Sequence, residues 1–199
     1  LSKNETYLQI AQIHIESINE GFLSSLGLPF MALLYEKIDL TPSGYLEVIE
    51  KDNQIIGFVS GTKNGLKPIL KSMWSDKLPL FLALAPNLIN PFKIIKIIEI
   101  LFHSVGTKDE NAFPKEELLS IAIRPQFRGL GLAEVLFQKL VSRFREYGSP
   151  SFKIIVGRDL IPAHKFYQKM KCKEVAKITI HSHKESSVYT YDVIDKDKI

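Results

Sequence analysis

The stretch IAIRPQFRGLGLAEVLF, residues 121–137, decides how this chain is read. An apolar run, SIAI at 120–123, gives way to Gly129 and Gly131, and these open into the long amphipathic stretch AEVLFQKLVSRF. An apolar run, a glycine pair and then helical periodicity read as strand, turn and helix. Two missing side chains at that junction bare the first unpaired N–H groups of the helix, so an anionic group can approach closely. The same glycines also suit a tight turn that needs positive φ and binds nothing. Taken alone, the pair leaves both readings open.

Working outward, the helix expected over 132–147 turns Leu132, Val135, Leu136, Leu140 and Phe144 inward, with Gln138, Lys139, Arg143 and Glu146 outside. It should stop at Gly148, ahead of Pro150. ELLSIAIR at 117–124 lacks clean alternation, as expected of a central strand covered on both faces. SFKIIVGR reads as the next strand, and PAHKFYQKM as a short helix with Ala163, Phe166, Tyr167 and Met170 on one face. The tail KEVAKITIHSHKESSVYTYDVI predicts a closing hairpin. Upstream, YLQIAQIHIESI and PFMALLYEKI predict two helices, the second opened by Pro29. GYLEVIEKD and QIIGFVSGTK predict a hairpin turning at Asp52 and Asn53.

The composition sets bounds. With 199 residues, 45% hydrophobic and 24% charged, the chain can bury a real core, and no linker or repeat divides it. One domain over 1–199 is expected. The net charge of +4 is spread among acidic residues, with no basic arm or stripe, so no nucleic-acid partner is expected. A phosphorylated small ligand accounts for the same surplus. The single cysteine, Cys172, excludes an internal disulfide and a cysteine-based zinc cluster, and no metal is expected. No secretory pattern is legible, which makes the cytoplasm the expected compartment.

One region departs from ordinary soluble composition. Residues 67–105 include LPLFLALAPNLINPFKIIKIIEILF, interrupted by Pro79, Pro86 and Pro91. Over 91–102, Lys93, Lys96 and Glu99 recur at every third position, which on a helix makes one narrow polar stripe. The uninterrupted apolar runs are far shorter than the ~18 residues of a membrane span. A helical insertion that packs on the sheet or on a second subunit and lines an acceptor pocket is expected. Membrane contact through it is the lesser alternative.

With these residues in view, a family can be named. IAIRPQFRGLGLAEVLF resembles the cofactor signature of the GNAT superfamily of acyl-CoA-dependent N-acyltransferases, an Arg or Gln, two residues, Gly, one residue, then Gly or Ala. Two frames fit, Gln126 to Gly131 and Arg128 to Ala133. AHKFYQKM resembles the family's Ala-x-x-Phe-Tyr helix, and together the two blocks cover residues 117–172. Two positions depart from the pattern. Leu160 stands where the family often has an Asn that bonds the pantetheine, with Arg158 or Asp159 as substitutes. Lys171-Cys172 replaces a frequent Gly-Phe pair.

The resemblance implies an α/β (α+β) fold, with a mixed, mostly antiparallel sheet whose fourth and fifth strands run parallel and splay apart; the insertion, which the family pattern does not supply, is expected between the third and fourth strands. It implies acetyl-CoA as acyl donor, with Ile121, Ala122 and Ile123 offering backbone to the pantetheine. Arg128, Gly129, Leu130, Gly131, Leu132 and Ala133 would hold the pyrophosphate, with Phe166 beside the cofactor. It makes Tyr167 the acid that protonates the departing thiolate; packing is the competing account of that ring. Glu117, next to Glu116, is the expected base. His181 and His183, on one face of a strand and titrating near neutrality, are the alternative, and solvent a third. The acceptor is expected to be a small-molecule amine, such as an amino sugar, with protein or peptide amines as alternative acceptors. A non-catalytic acyl-CoA-binding module is the reading from another class. A homodimer is compatible with each, and Cys172 has no partner that would make it a nucleophile.

Overall fold

The computed structural model describes residues 2–18, 24–85, 112–180 and 184–194. The helix expected over 91–102 and the pair His181 and His183 lie outside the described residues.

Two helices come first. Helix α1 (Lys3–Ser17) is opened by Ser2, whose side chain accepts from the Glu5 amide, and α2 (Leu28–Leu40) carries Pro29 in its first turn. The hairpin follows as β1 (Gly44–Lys51) and β2 (Gln54–Thr62). Its turn residues Asp52 and Asn53 take φ of 51° and 58°, the left-handed pair that matches the twist of the strands. The described part of the insertion forms α3 (Lys67–Ser75) and α4 (Lys77–Leu84). Then come β3 (Glu117–Ile123), α5 (Leu132–Glu146), β4 (Ser151–Gly157), α6 (Ile161–Lys169), β5 (Lys173–Ile180) and β6 (Lys184–Asp192).

The six described strands stand in the order β1-β2-β3-β4-β6-β5, and every neighbouring pair is antiparallel except β3 with β4. Because the described chain opens on helices, the parallel pair is third and fourth in chain order, not fourth and fifth. For the same reason the insertion falls between the second and third strands. The sheet separates two cores. One face packs Ile55, Phe58 and Ala122 against α1 to α4, and the other packs Val59, Leu118 and Ile123 against α5 and α6.

Helix α5 ends as expected at Gly148, whose φ is 70°. The Ser149 amide donates to Phe144 O and the Gly148 amide to Arg145 O, closing the helix with a left-handed glycine. Its buried face is Leu136, Phe137, Leu140, Val141 and Phe144. Val135, expected inside, is 48% exposed. The inward stripe is centred on the Phe137–Val141 side because the aromatic cluster of Phe137, Phe144 and Phe152 draws the helix round.

Candidate acyl-transfer site

The site begins where two strands part. β3 and β4 pair only at Glu117 with Lys153 and at Leu118 with Ile154. Beyond that point β3 stays bonded to β2 and β4 to β6, so the two edges facing the gap lack strand partners. Unpaired backbone groups on facing strand edges are an open template for another extended chain. At the root of the gap β3 bulges. Ser60 faces Ser120 but Gly61 faces Leu118, leaving Leu119 as the extra residue. The bulge also explains why 117–124 shows no clean alternation, since side chains change face across it.

Past β3 the chain makes a short turn, Pro125–Phe127, and reaches the glycines. Gly129 and Gly131 take φ of 78° and 74°, and a Cβ at either position would meet nothing within 4 Å. The left-handed backbone therefore favours glycine, while the space beside it stays open. Helix α5 starts at Gly131 with no side-chain cap. The amides of residues 129–133 take no backbone acceptor among the described residues. A cluster of free N–H groups at a helix start, with clear space in front, fits a phosphate or pyrophosphate. Arg128 points elsewhere. Its Nε donates to Ile123 O at 3.0 Å and its Nη2 to Ser17 Oγ at 3.2 Å, tying the strand exit to α1. Leu130 is 67% exposed, whereas Leu132 and Ala133 pack against the α5 core, and Ile121 does the same from β3.

On α6 the ring of Tyr167 is buried against Phe137, Phe166 and Tyr189, at centroid distances of 6.5, 5.2 and 6.1 Å. Its hydroxyl has no hydrogen-bond partner among the described residues, yet it is not among their sealed unpaired polar atoms, where only Ser43 Oγ stands. A ring buried in this way packs α6 on α5 whether or not its hydroxyl acts as an acid. Burial raises the phenol pKa well above its ordinary value, so the proton is present at neutral pH. Phe166 stands edge-on to Phe137 at 6.0 Å, which anchors α6 on α5.

Glu117 sits in the first of the two closed rungs of the parallel pair, one rung before the gap opens, its side chain 17% exposed. Burial raises its pKa, and Lys153, whose Nζ lies 3.7 Å from Oε2, opposes the rise. Its neighbour Glu116 is tied away, accepting from Ser149 Oγ at 3.0 Å. Cys172 lies beside Tyr167, and burial pushes its thiol up to about 12, so it stays protonated and unreactive at neutral pH. Leu160 precedes α6 without a side-chain cap.

Two histidines escaped the sequence reading. His164 Nε2 donates to Gly157 O at 3.1 Å, and its Nδ1 accepts from the Tyr189 hydroxyl at 2.9 Å, fastening α6 to the end of β4. His14 lies on the buried face of α1 with Tyr7, Ile10 and Ala11. Its helical spacing from those residues was the available signal, but its partner Tyr35 is a full helix away.

A parted parallel pair, a bulge at its root and an amide cluster beyond it stand together at one end of the mixed sheet. Residues 98–171 match the acetyltransferase (GNAT) family model, and the chain around them has the GNAT fold. No curated protein matches the chain. Among solved structures it is similar to an N-acetyltransferase from Staphylococcus aureus Mu50, at 13% identity over 96% of this chain and 94% of that one, with a TM-score of 0.62. An aminoglycoside 6'-N-acetyltransferase complexed with coenzyme A aligns at 10% identity over 96% and 92%, with a TM-score of 0.58. A structure described as a streptothricin acetyltransferase from Bacillus anthracis, in complex with acetyl coenzyme A, aligns at 14% identity over 79% and 67%, with a TM-score of 0.51. No described helix is long and apolar enough to cross a membrane, and no described cluster of ligating side chains would hold a metal.

Proposed function

We propose that residues 1–199 act as one acetyl-CoA-dependent N-acetyltransferase domain, moving the acetyl group directly to a primary amine of a small molecule. The observation that carries this reading is the gap between β3 and β4, opening beyond Leu118 and Ile154 beside the bulge. An extended pantetheine arm matches such a gap, and the free amides at 129–133 suit the pyrophosphate that follows it. Two solved structures of this fold that hold coenzyme A or acetyl coenzyme A support the choice of acyl donor.

In this scheme the amine nitrogen attacks the thioester carbonyl carbon, and an N–H of the open β3 edge takes up charge on the carbonyl oxygen. The C–S bond breaks, and the thiolate receives the Tyr167 phenol proton, which solvent then replaces. The surplus proton on nitrogen passes through water to Glu117, which Lys153 keeps available as a carboxylate against its burial.

Release of free thiol from acetyl-CoA, measured over a panel of amines with mass-spectrometric detection of product, tests the proposal. Turnover on amino sugars or other small amines is the expected result. Turnover on peptide amines alone would move the acceptor class. Coenzyme A binding without thiol release on any amine would instead establish a binding module, in line with Leu160 at the position of the family's Asn.

A further inference from the structure

His164 ties α6 to both ends of the stretch of β4 that has lost β3. Gly157 O can only accept, so Nε2 of His164, 3.1 Å away, carries the ring hydrogen, and Nδ1, 2.9 Å from the Tyr189 hydroxyl, accepts from it. Tyr189 stands on β6 opposite Ile154, in the rung where β3 and β4 last meet, and Gly157 is the final residue of β4. The two bonds therefore bracket the parted stretch, one reaching back to its root through Tyr189 and the other holding its far end.

The bond to Gly157 lies on the edge that faces the gap. Lys153 N donates to Glu116 O, just ahead of β3, while Arg158 N donates to Glu185 O on the β6 side. Alternate residues of such a strand present their N–H and C=O groups to opposite neighbours, so Ile155 and Gly157 point theirs, like Lys153, toward β3 and the gap. Gly157 O on that parted edge is shared by the Leu160 amide at 3.1 Å and the His164 ring. Leu160 gives α6 no side-chain cap, so the first turn of the helix depends on these bonds to the strand end. His164 and Tyr167 lie one turn apart on the same side of α6, and the Tyr189 ring meets both, at centroid distances of 5.8 and 6.1 Å. Tyr167 and Tyr189 are buried, so the three rings pack as one unit.

We propose that His164 is a positioning residue for acyl transfer: its two bonds fix α6 on the parted edge of β4 and so set the Tyr167 hydroxyl against the sulfur of the donor. This rests on the acid role proposed for Tyr167 above. The phosphate end of the donor is held elsewhere, at 129–133. Loss of the two bonds therefore lowers turnover and leaves donor affinity alone.

His164→Leu keeps the bulk and removes both bonds. The expected result is a kcat lower by about 10-fold with KM for acetyl-CoA within about twofold, because only alignment is lost. In a Tyr167→Phe background the same change should cost nothing further, since it acts through that hydroxyl. His164→Gln, whose amide can donate to Gly157 O, should recover part of the loss. Tyr189→Phe keeps the ring contacts, should give a smaller fall of the same kind, and takes the place of His164→Leu where that variant does not fold. Losses that multiply with Tyr167→Phe, a change confined to KM, a Gln variant no faster than the Leu variant, or an unchanged kcat in folded His164→Leu or Tyr189→Phe would overturn the proposal. Hydrogen exchange at residues 164–168, run on wild type and His164→Leu, reads the anchor without turnover. Faster exchange there, with 136–141 unchanged, is expected, and equal exchange overturns the anchor even in a protein that only binds coenzyme A. A Tyr167→Phe variant as fast as wild type would instead defeat the acid role on which this one rests, and absence of coenzyme A binding by the wild type would defeat the acyltransferase reading.

Discussion

Acid should unfold this protein partly through one histidine. His14 is closed in by the Tyr35 and Ser24 hydroxyls and the Phe58 ring, with no carboxylate facing it among the described residues, and burial lowers its pKa from 6.5 to about 4. A proton on Nδ1 would also cost the bond from Tyr35. The unfolded chain takes up that proton near pH 6.5 while the folded chain resists it until about pH 4, so stability is intact above pH 6.5 and is lost as pH falls through that window. Each pH unit inside the window costs about 1.4 kcal/mol, which makes about 3 kcal/mol in all and about 2 kcal/mol between pH 7.5 and 5. The perturbation is His14→Gln, which carries no charge at any pH. Urea unfolding of both proteins at pH 7.5 and 5 separates this histidine from the carboxylates, which titrate alike in each. The wild type should lose about 2 kcal/mol more than the variant, a difference in midpoint shift of about 1 M urea. Absolute stability of the variant does not enter, only the change with pH. Equal losses in the two proteins would refute the argument from burial.

Other outcomes follow from the site. Acetyl-CoA at about 100 times its Kd should stabilise the fold by about 2.7 kcal/mol, read as a rise in Tm. Gly131→Asn tolerates the left-handed backbone but puts a side chain into the open space, and should fold normally while losing that rise. Tyr167→Phe should lower kcat about 10²-fold with coenzyme A binding intact by calorimetry; a rate within about twofold of wild type would leave the ring a packing element. The rate should climb with pH through a limb placed above the ordinary carboxylate range, because burial raises Glu117. Glu117→Gln should remove the limb, and Lys153→Met should move it higher by withdrawing the charge that opposes the rise; a limb indifferent to both variants would give deprotonation to solvent.

Local chemistry determined most of the fold. Strand, turn and helix over 117–146 were legible because apolar run, glycine pair and helical spacing act within a few residues of one another. The same holds for the Asp52-Asn53 turn and the stop at Gly148, where positive φ is a demand of the backbone itself. The sequence also marked Gly129, Gly131, Glu117 and Tyr167, though not what surrounds them. That depended on residues far apart in the chain. The two-rung contact of β3 with β4 sets where the gap opens, and no local pattern encodes where two parallel strands diverge. The bulge at Leu119 is a mismatch between two strands, so neither strand alone predicts it. Arg128, assigned to the pyrophosphate turn by its place in the signature, bonds Ser17 and the Ile123 carbonyl through its side chain, contacts that no local pattern encodes. The inward face of α5 moved off Val135 because Phe152, the ring that Phe137 and Phe144 meet, lies on β4. The hydrogen bonds that run from Ser24 through His14 to Tyr35 join α1 to α2. Their direction follows from which hydroxyl spends its proton where, a property of the packed core and not of any segment within it.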